Sequence, residues 1–466
     1  MSSIPVIAVY DVGKTNKKLF LFDQQYNIVY ERSARLPETV DEDGDPCEDV
    51  EALRWSIFDL LKDVFRHKQF ELKAINFSTY GASFVHLDTE GHPVAPLYNY
   101  LKEYPEYLKQ KFYNTYGGET QFSFQTASPV LGSLNSGMQL YRLKYEKPHL
   151  YRRIKYALHL PQYMSFLLSD NVCSDITSIG CHTNLWDFQK NDYHEWVYKE
   201  GVIEKLAPIT PSDSVVPPSF PGNHYCVGIG LHDSSAALIP YLVAFDEPFI
   251  LLSTGTWCIT LNPFNQSPLT VEELEKDCLC YLSYEGKPVK ASRLFAGYER
   301  DLQVKRLAEH FNKGVDYYQT VAYNPETVQR FMRHDDLSAL HEGTDFKGGT
   351  MPSAFGTRDL DDFSTYEEAY HQLIWDLVVQ QKKSSELVMK GANVKQLFVD
   401  GGFSKNPIYM NLLPAIFPEL KVYAASIAQA TALGAALAIH DKWNTQPLKK
   451  EIIELKPYHQ TLTLQS

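Results

Sequence analysis

The chain has 466 residues, 44% hydrophobic and 22% charged, more than one ordinary core supports, which predicts two domains or one with large insertions. A net charge of −13 and an isoelectric point of about 5.6 argue against a broad surface for phosphate backbones, so no nucleic-acid partner is expected. No run approaches the roughly 20 apolar residues of a membrane span, and the seven scattered cysteines lack zinc-ligand spacing; no membrane partner is expected, and reduced thiols in a cytoplasmic protein are.

From the N-terminus, Val6–Val12 is apolar and β-branched, Gly13–Asn16 has turn chemistry, Lys17–Asp23 is a second strand, and Ile28–Leu36 is a third. Past a polar loop, Val50, Leu53, Ile57, Leu60, Leu61 and Phe65 recur at helical spacing and predict a long amphipathic helix. Leu72–Asp88 returns to strands, giving an α/β opening. Ser136–Asn171 reads as helices whose basic residues form a solvated face, and the Pro- and Ser-rich Ala207–Tyr225 as a loop or linker. Glu247–Asn262 repeats the opening grammar of strand, small-residue turn and strand. Tyr366–Gly391 predicts an amphipathic helix closed by its glycine, followed by a strand, a Gly-Gly turn and a helix over Val394–Phe417. Ala428–His440 is an Ala-rich helix fit for close packing. Strand–turn–strand near the start of each half points to two related domains.

Gly13-Lys14-Thr15 has the ending of a phosphate-binding P-loop, but the pattern fails. The first glycine position is Ala8, inside a strand, and Thr15 is followed by a strand where a P-loop opens a helix. A hairpin turn can instead aim backbone N–H groups at phosphate oxygens. Gly13 would permit close approach, Thr15 and Asn16 would donate side-chain hydrogen bonds, and Lys14 or Lys18 would neutralise phosphoryl charge. Asp11 would hold Mg²⁺ through water. An ordinary hairpin with surface lysines fits the same stretch. Two later turns narrow the reading: Ser253–Trp257 (STGTW), and Asp400–Asn406 (DGGFSKN), a glycine pair directly after a buried strand.

These motifs, in this order, resemble those of the FGGY carbohydrate kinases. Asp11–Asp23 is similar to their first phosphate motif, STGTW to their second, and VDGGFSKNP with ATALGAAL to their adenosine-binding region. Gly230–Ala237 (GLHDSSAA) resembles the catalytic segment, most closely its rhamnulokinase form, and Tyr80–Phe84 the sugar segment of the same rhamnulokinase- and fuculokinase-like branch. The resemblance runs from about Ala8 to Ala438.

It implies an α/β protein of two actin-like (ribonuclease H-like) ATPase domains around a central cleft: residues 1–240, 241–440 and a tail, 441–466. It implies an ATP-dependent sugar kinase with ATP and Mg²⁺ as cofactors and a small-molecule sugar, a pentulose or hexulose such as rhamnulose or fuculose, as substrate; a homodimer is compatible with it. Asp233 would be the general base, with Gly81, Ser83, Phe84 and His232 beside it on the sugar. Gly255 and Thr256 would meet the terminal phosphates, and Gly401, Gly402 and Asn406 would line the nucleotide site. The residues themselves also allow Asp233 to act as a helix cap and His232 as a structural histidine. Three features depart from the family pattern: Lys14 where threonine is common, Ser83 where the branch often has aspartate, and Asn99–Glu103 in place of W-x-D-x-R. The last two fall in the sugar half and leave the sugar less defined than the reaction, while Lys14 adds a cation to the first phosphate turn. An actin-like ATPase that switches conformation without a sugar is the competing class.

Overall fold

The computed structural model describes residues 3–14, 16–35, 38–220, 224–334, 348–427, 429–449 and 451–460. Thr15, one of the predicted phosphate contacts, lies outside the described residues.

The chain forms two compact units. In the first, β1 (Ile4–Val12), β2 (Lys17–Asp23) and β3 (Ile28–Ala34) make an antiparallel meander, and β4 (Phe70–Thr79) runs parallel to β1 on its other side. Short strands at Val215–Val216 and Cys226–Gly228 extend the sheet beyond β4. In the second unit, β5 (Phe249–Thr254) pairs antiparallel with β6 (Cys258–Asn262), which pairs antiparallel with β7 (Pro288–Leu294). On its other edge β5 runs parallel to β8 (Gln396–Gly401), and β8 is followed by a parallel strand at Lys421–Ser426. The two sheets thus share one plan, a three-strand meander whose first strand has a parallel neighbour, and the repeated grammar of the sequence is a repeated topology.

Period-2 and period-3.6 patterning places the cores. Val6, Ala8, Tyr10, Leu19 and Leu21 meet Val50, Leu53, Ile57, Leu60 and Leu61 of the helix Val50–Arg66 in one cluster. That helix turns Val64 inward and leaves Phe65 half exposed, contrary to the expected apolar stripe: Val64 continues the 57–60–61 face, and Phe65 lies one step, about 100°, beyond it. In the second unit the helix Tyr366–Met389 supplies Ala369, Tyr370, Leu373, Ile374, Leu377 and Val378 to the core beneath β5 and β8.

Three segments differ from the sequence reading. Tyr156–His159 is a strand paired with Phe84–Leu87, in a stretch expected to be all helix. The basic residues there are not simply solvated, since Lys144 pairs with Glu200 and Arg142 with Glu146. Ala207–Tyr225 is no interdomain linker, because Val215–Val216 joins the sheet of the first unit. The units also do not follow a single cut near Pro240, which lies inside the helix Asp233–Ala244. Residues 246–279, 289–427 and 453–466 form the second unit, while 280–288 and 428–452 belong to the first. The physical reason for the return of 428–452 is steric. A Cβ on Gly434 would lie 1.8 Å from the carbonyl oxygen of Ala236, so the helix Ala430–Ala438 packs backbone to backbone on Asp233–Ala244.

Candidate active-site residues and the family of the chain

The first unit assembles its carboxylates at the ends of adjacent elements. Asp11 is near the C-terminal end of β1 and accepts a hydrogen bond from Thr431 Oγ1 at 2.9 Å. Burial, reinforced by the nearby charge of Asp233, pushes its carboxyl up to about 6. Asp233 opens the helix Asp233–Ala244 and accepts from its neighbour, Ser234 N, at 2.6 Å. It does not cap the helix in the usual way, since His232 occupies the cap position. Burial raises Asp233 to about 6 as well, against the lowering pull of Ser234. The Asp11 carboxylate and the Thr431 hydroxyl are hard oxygen donors of the kind that suits Mg²⁺.

The turn before Asp233 is held tightly. Asn76 Oδ1 accepts from Gly230 N, and Asn76 Nδ2 donates to the carbonyl of Ala435 at 2.7 Å. Gly230 has φ +83°, and a Cβ there would strike Pro161 O at 2.5 Å, so glycine is obligatory. His232 N donates to Thr177 Oγ1. The His232 ring is buried, and burial lowers its pKa to about 4, so it is neutral at pH 7. Its Nε2 lies 3.3 Å from Asp233 Oδ1, and its Nδ1 has no hydrogen-bond partner. Gly81 makes room for this ring, since a Cβ there would sit 2.7 Å from Nε2. Ser83 is buried with an unpartnered hydroxyl.

Two predicted contacts in this unit change character. Phe84 is 1% exposed and stacks on His159 at 3.9 Å between ring centroids, so it is a core residue with no surface to offer a sugar. In the β1–β2 hairpin, Gly13 N donates to Asn16 O at 2.9 Å, so that N–H closes the turn and does not point outward. Asn16 is exposed at its tip. Lys14 Nζ stands 3.4 Å from Glu48 Oε1 and over the rings of Tyr80 and Tyr100. Lys18 pairs with Glu31 at 2.9 Å.

The second unit presents backbone. Thr254, at the end of β5, ties its two turns together. Its Oγ1 donates to Asp400 O and accepts from Phe403 N, and its carbonyl accepts from Gly402 N at 2.8 Å. Gly401 has φ +85°, and a Cβ would fall 2.0 Å from Thr254 O, whereas at Gly402 it would be 3.9 Å away. Gly255 N donates to Trp257 O, closing the STGTW turn as Gly13 closes the first. Ser253, Gly255, Thr256, Gly401 and Gly402 are all exposed along this edge. Asn406 is committed elsewhere: its Oδ1 caps the helix Pro407–Ile416 through Ile408 N and Tyr409 N, and its Nδ2 donates to Tyr370.

Residues 6–217 match the model for the FGGY family of carbohydrate kinases, N-terminal domain, and residues 246–447 that for the carbohydrate kinase FGGY C-terminal domain. The chain belongs to the FGGY family of carbohydrate kinases. It is an ATP-dependent carbohydrate kinase with the two-domain α/β fold of the actin-like ATPases. A rhamnulokinase of Halalkalibacterium halodurans is 22% identical, the alignment covering 92% of this chain and 91% of that one. A rhamnulokinase of Mannheimia succiniciproducens is 22% identical over 54% of this chain and 52% of its own. Among solved structures, a carbohydrate kinase from Novosphingobium aromaticivorans superposes with TM-score 0.79 at 22% identity, covering 98% and 97% of the two chains. A xylulose kinase from Lactobacillus acidophilus gives 0.77 at 16% identity, covering 98% and 94%. No described helix of this FGGY kinase is long and apolar enough to cross a membrane.

Sequence reasoning missed four residues of these sites. Thr431, Asn76 and Gly297 touch them only through tertiary contact; a Cβ on Gly297 would lie 1.9 Å from Gly255 O. Tyr100 senses the charge of Asp233, and its segment was marked only by what it lacks.

Proposed function

We propose that this kinase transfers the terminal phosphoryl group of ATP to a hydroxyl of a ketose, a pentulose or hexulose, with Asp233 as general base. The observation that carries this is a desolvated carboxylate, raised to about 6, at the opening of a helix and beside a neutral histidine. A carboxyl with that value is ionised at pH 7 yet basic enough to take a proton in the transition state. As the sugar oxygen bonds to phosphorus, its proton passes to Asp233, and the bond from phosphorus to the bridging oxygen of ADP breaks. His232 and Ser83, each with an unpartnered polar atom, would hydrogen-bond sugar hydroxyls.

In the second unit Gly401 and Gly402 would lie against the nucleoside, Gly255 and Thr256 against its phosphates, and Asn406 would hold the turn from behind. In the first, Asp11 with Thr431 would hold Mg²⁺. Magnesium, when bound with the nucleotide, neutralises phosphate charge. Lys14, occupied by Glu48, would act on the first turn and not on phosphate. Rhamnulose or fuculose is favoured by the rhamnulokinase relatives and by the His-Asp-Ser-Ser segment. No disulfide joins the seven cysteines, which fits a cytoplasmic setting, and a homodimer is compatible with the proposal.

A coupled ADP-release assay across ketoses, aldoses and polyols tests the proposal. Release that requires a ketose and collapses in Asp233→Asn, with ATP still bound, supports it. Equal turnover without any sugar would instead indicate an ATPase switch.

A further inference from the structure

A second cluster of ligating side chains abuts Asp233, and of its three members only His232 enters the reaction just proposed. Cys181, His182 and His232 each offer one donor atom, and the three atoms lie within 4.8 Å of one another. Cys181 Sγ is 3.5 Å from His232 Nε2, and that nitrogen is 3.3 Å from Asp233 Oδ1. Tetrahedral zinc, with ligands at about 2.0–2.3 Å, spaces its donors roughly 3.3–3.8 Å apart. The separation between Cys181 and His232 falls in that range.

The surroundings favour ligation. His182 Nδ1 is 3.2 Å from the carbonyl oxygen of Leu134. A carbonyl can only accept, so Nδ1 carries the hydrogen and Nε2 keeps its lone pair, the arrangement that orients metal-binding imidazoles. His182 is held at φ +38°, uncommon for a non-glycine residue. The loop that bears it is pinned from both sides: Asn135 Nδ2 donates to His182 O at 2.7 Å, and Gly137 N to Thr183 O at 2.9 Å. The donors therefore stand on a rigid frame before any ion arrives. Thiol and imidazole are ligands for zinc, not for Mg²⁺, which takes oxygen. This cluster is thus chemically distinct from the pair Asp11 and Thr431.

We propose that Cys181, His182 and His232 bind one Zn²⁺, that a solvent molecule completes the tetrahedron, and that the bound ion, next to Asp233, inhibits the kinase. On binding, Cys181 loses its proton to solvent and its thiolate bonds to zinc. Zinc takes the His232 nitrogen that lies 3.3 Å from Asp233 Oδ1, and the charge of the ion beside that carboxylate makes it a weaker base for the sugar's proton. The binding step is independent of the kinase mechanism, whereas the inhibition rests on Asp233 as base.

Metal-free, full-length protein is titrated with Zn²⁺ against a fluorescent chelator, without nucleotide or sugar. Cobalt is added in parallel to read the thiolate-to-cobalt charge-transfer band. One ion per chain, a cobalt–thiolate band, and affinity at least tenfold weaker in both Cys181→Ala and His182→Asn are expected. Asparagine tolerates the positive φ at 182, so that variant guards against a misfolded Cys181→Ala. No stoichiometric binding, or wild-type affinity in both variants, would overturn the site. In ADP-release assays, zinc should slow the wild type at least tenfold more than either variant. Zinc bound through Cys181 without loss of ADP release would overturn the inhibition while the metal site itself would stand, and the loss of activity in Asp233→Asn tests the base separately.

Discussion

The two units answer one sheet plan with different chemistry. At the end of β1 the first carries side chains: Asp11, Thr431 and, from the facing helix, Asp233, two of them carboxylates raised to about 6. At the end of β5 the second carries no carboxylate of that kind: Thr254 locks glycine turns whose exposed backbone is the proposed nucleotide surface. A base must change protonation state and so needs a titratable group in a desolvating setting. A nucleotide cradle needs only fixed dipoles and room, which glycine supplies. Damage should therefore depend on charge in the first unit and on volume in the second.

The largest effect is expected for Asp233→Asn, which keeps volume and removes the base. kcat should fall by about 10²–10⁴-fold, with ATP affinity within twofold by equilibrium binding. A decline under tenfold would erase the contrast. In the second unit, Gly401→Ala adds one methyl where Thr254 O stands 2.0 Å away at φ +85°. It should cost about 2–4 kcal/mol in denaturant unfolding and raise the KM for ATP, whereas Gly402→Ala, with 3.9 Å of clearance, should cost less than about 1 kcal/mol.

Asp11→Asn should raise the magnesium concentration for half-maximal rate about tenfold. The pH dependence sharpens the same point. Because a general base works only when ionised and Asp233 is raised to about 6, kcat/KM should drop tenfold per unit as pH falls below 6. Asp233→Asn should lack that limb. The smallest effect is expected for Lys14→Thr, which frees Glu48 from one of two lysines while Lys17 stays at 3.2 Å. kcat and the KM for ATP should stay within twofold, and a tenfold rise in that KM would return Lys14 to the phosphate.

The strands and turns were legible because their signals are local, alternation and glycine at a turn, whereas Asp233 was marked only by the likeness of its segment to the family's catalytic motif. The P-loop likeness of Gly13-Lys14 was dismissed on the same local grounds. Asn406 and Phe84 were placed in contact with ligand because a motif records proximity and not direction. Asn406 instead turns its amide back to cap a helix, and Phe84 turns its ring onto His159. Thr431 and Gly434 could not be assigned to Asp11 and Asp233 from sequence, since roughly 200–420 residues intervene. The Cys181–His182–His232 cluster escaped for the same reason, its members being separated by 51 positions yet joined across one loop and one turn.

The return of residues 428–452 to the first unit also bears on how the chain is made. A ribosome completes β1–β4 early, but the helix that supports both Asp11 and Asp233 emerges only after most of the second unit. Until then the first unit holds an open groove beside Ala236, lined by backbone carbonyl. Closing it joins segments some 200 residues apart, a slow step by loop-closure entropy. A chain stopped before Ala430 should therefore carry both carboxylates without the helix that packs against them.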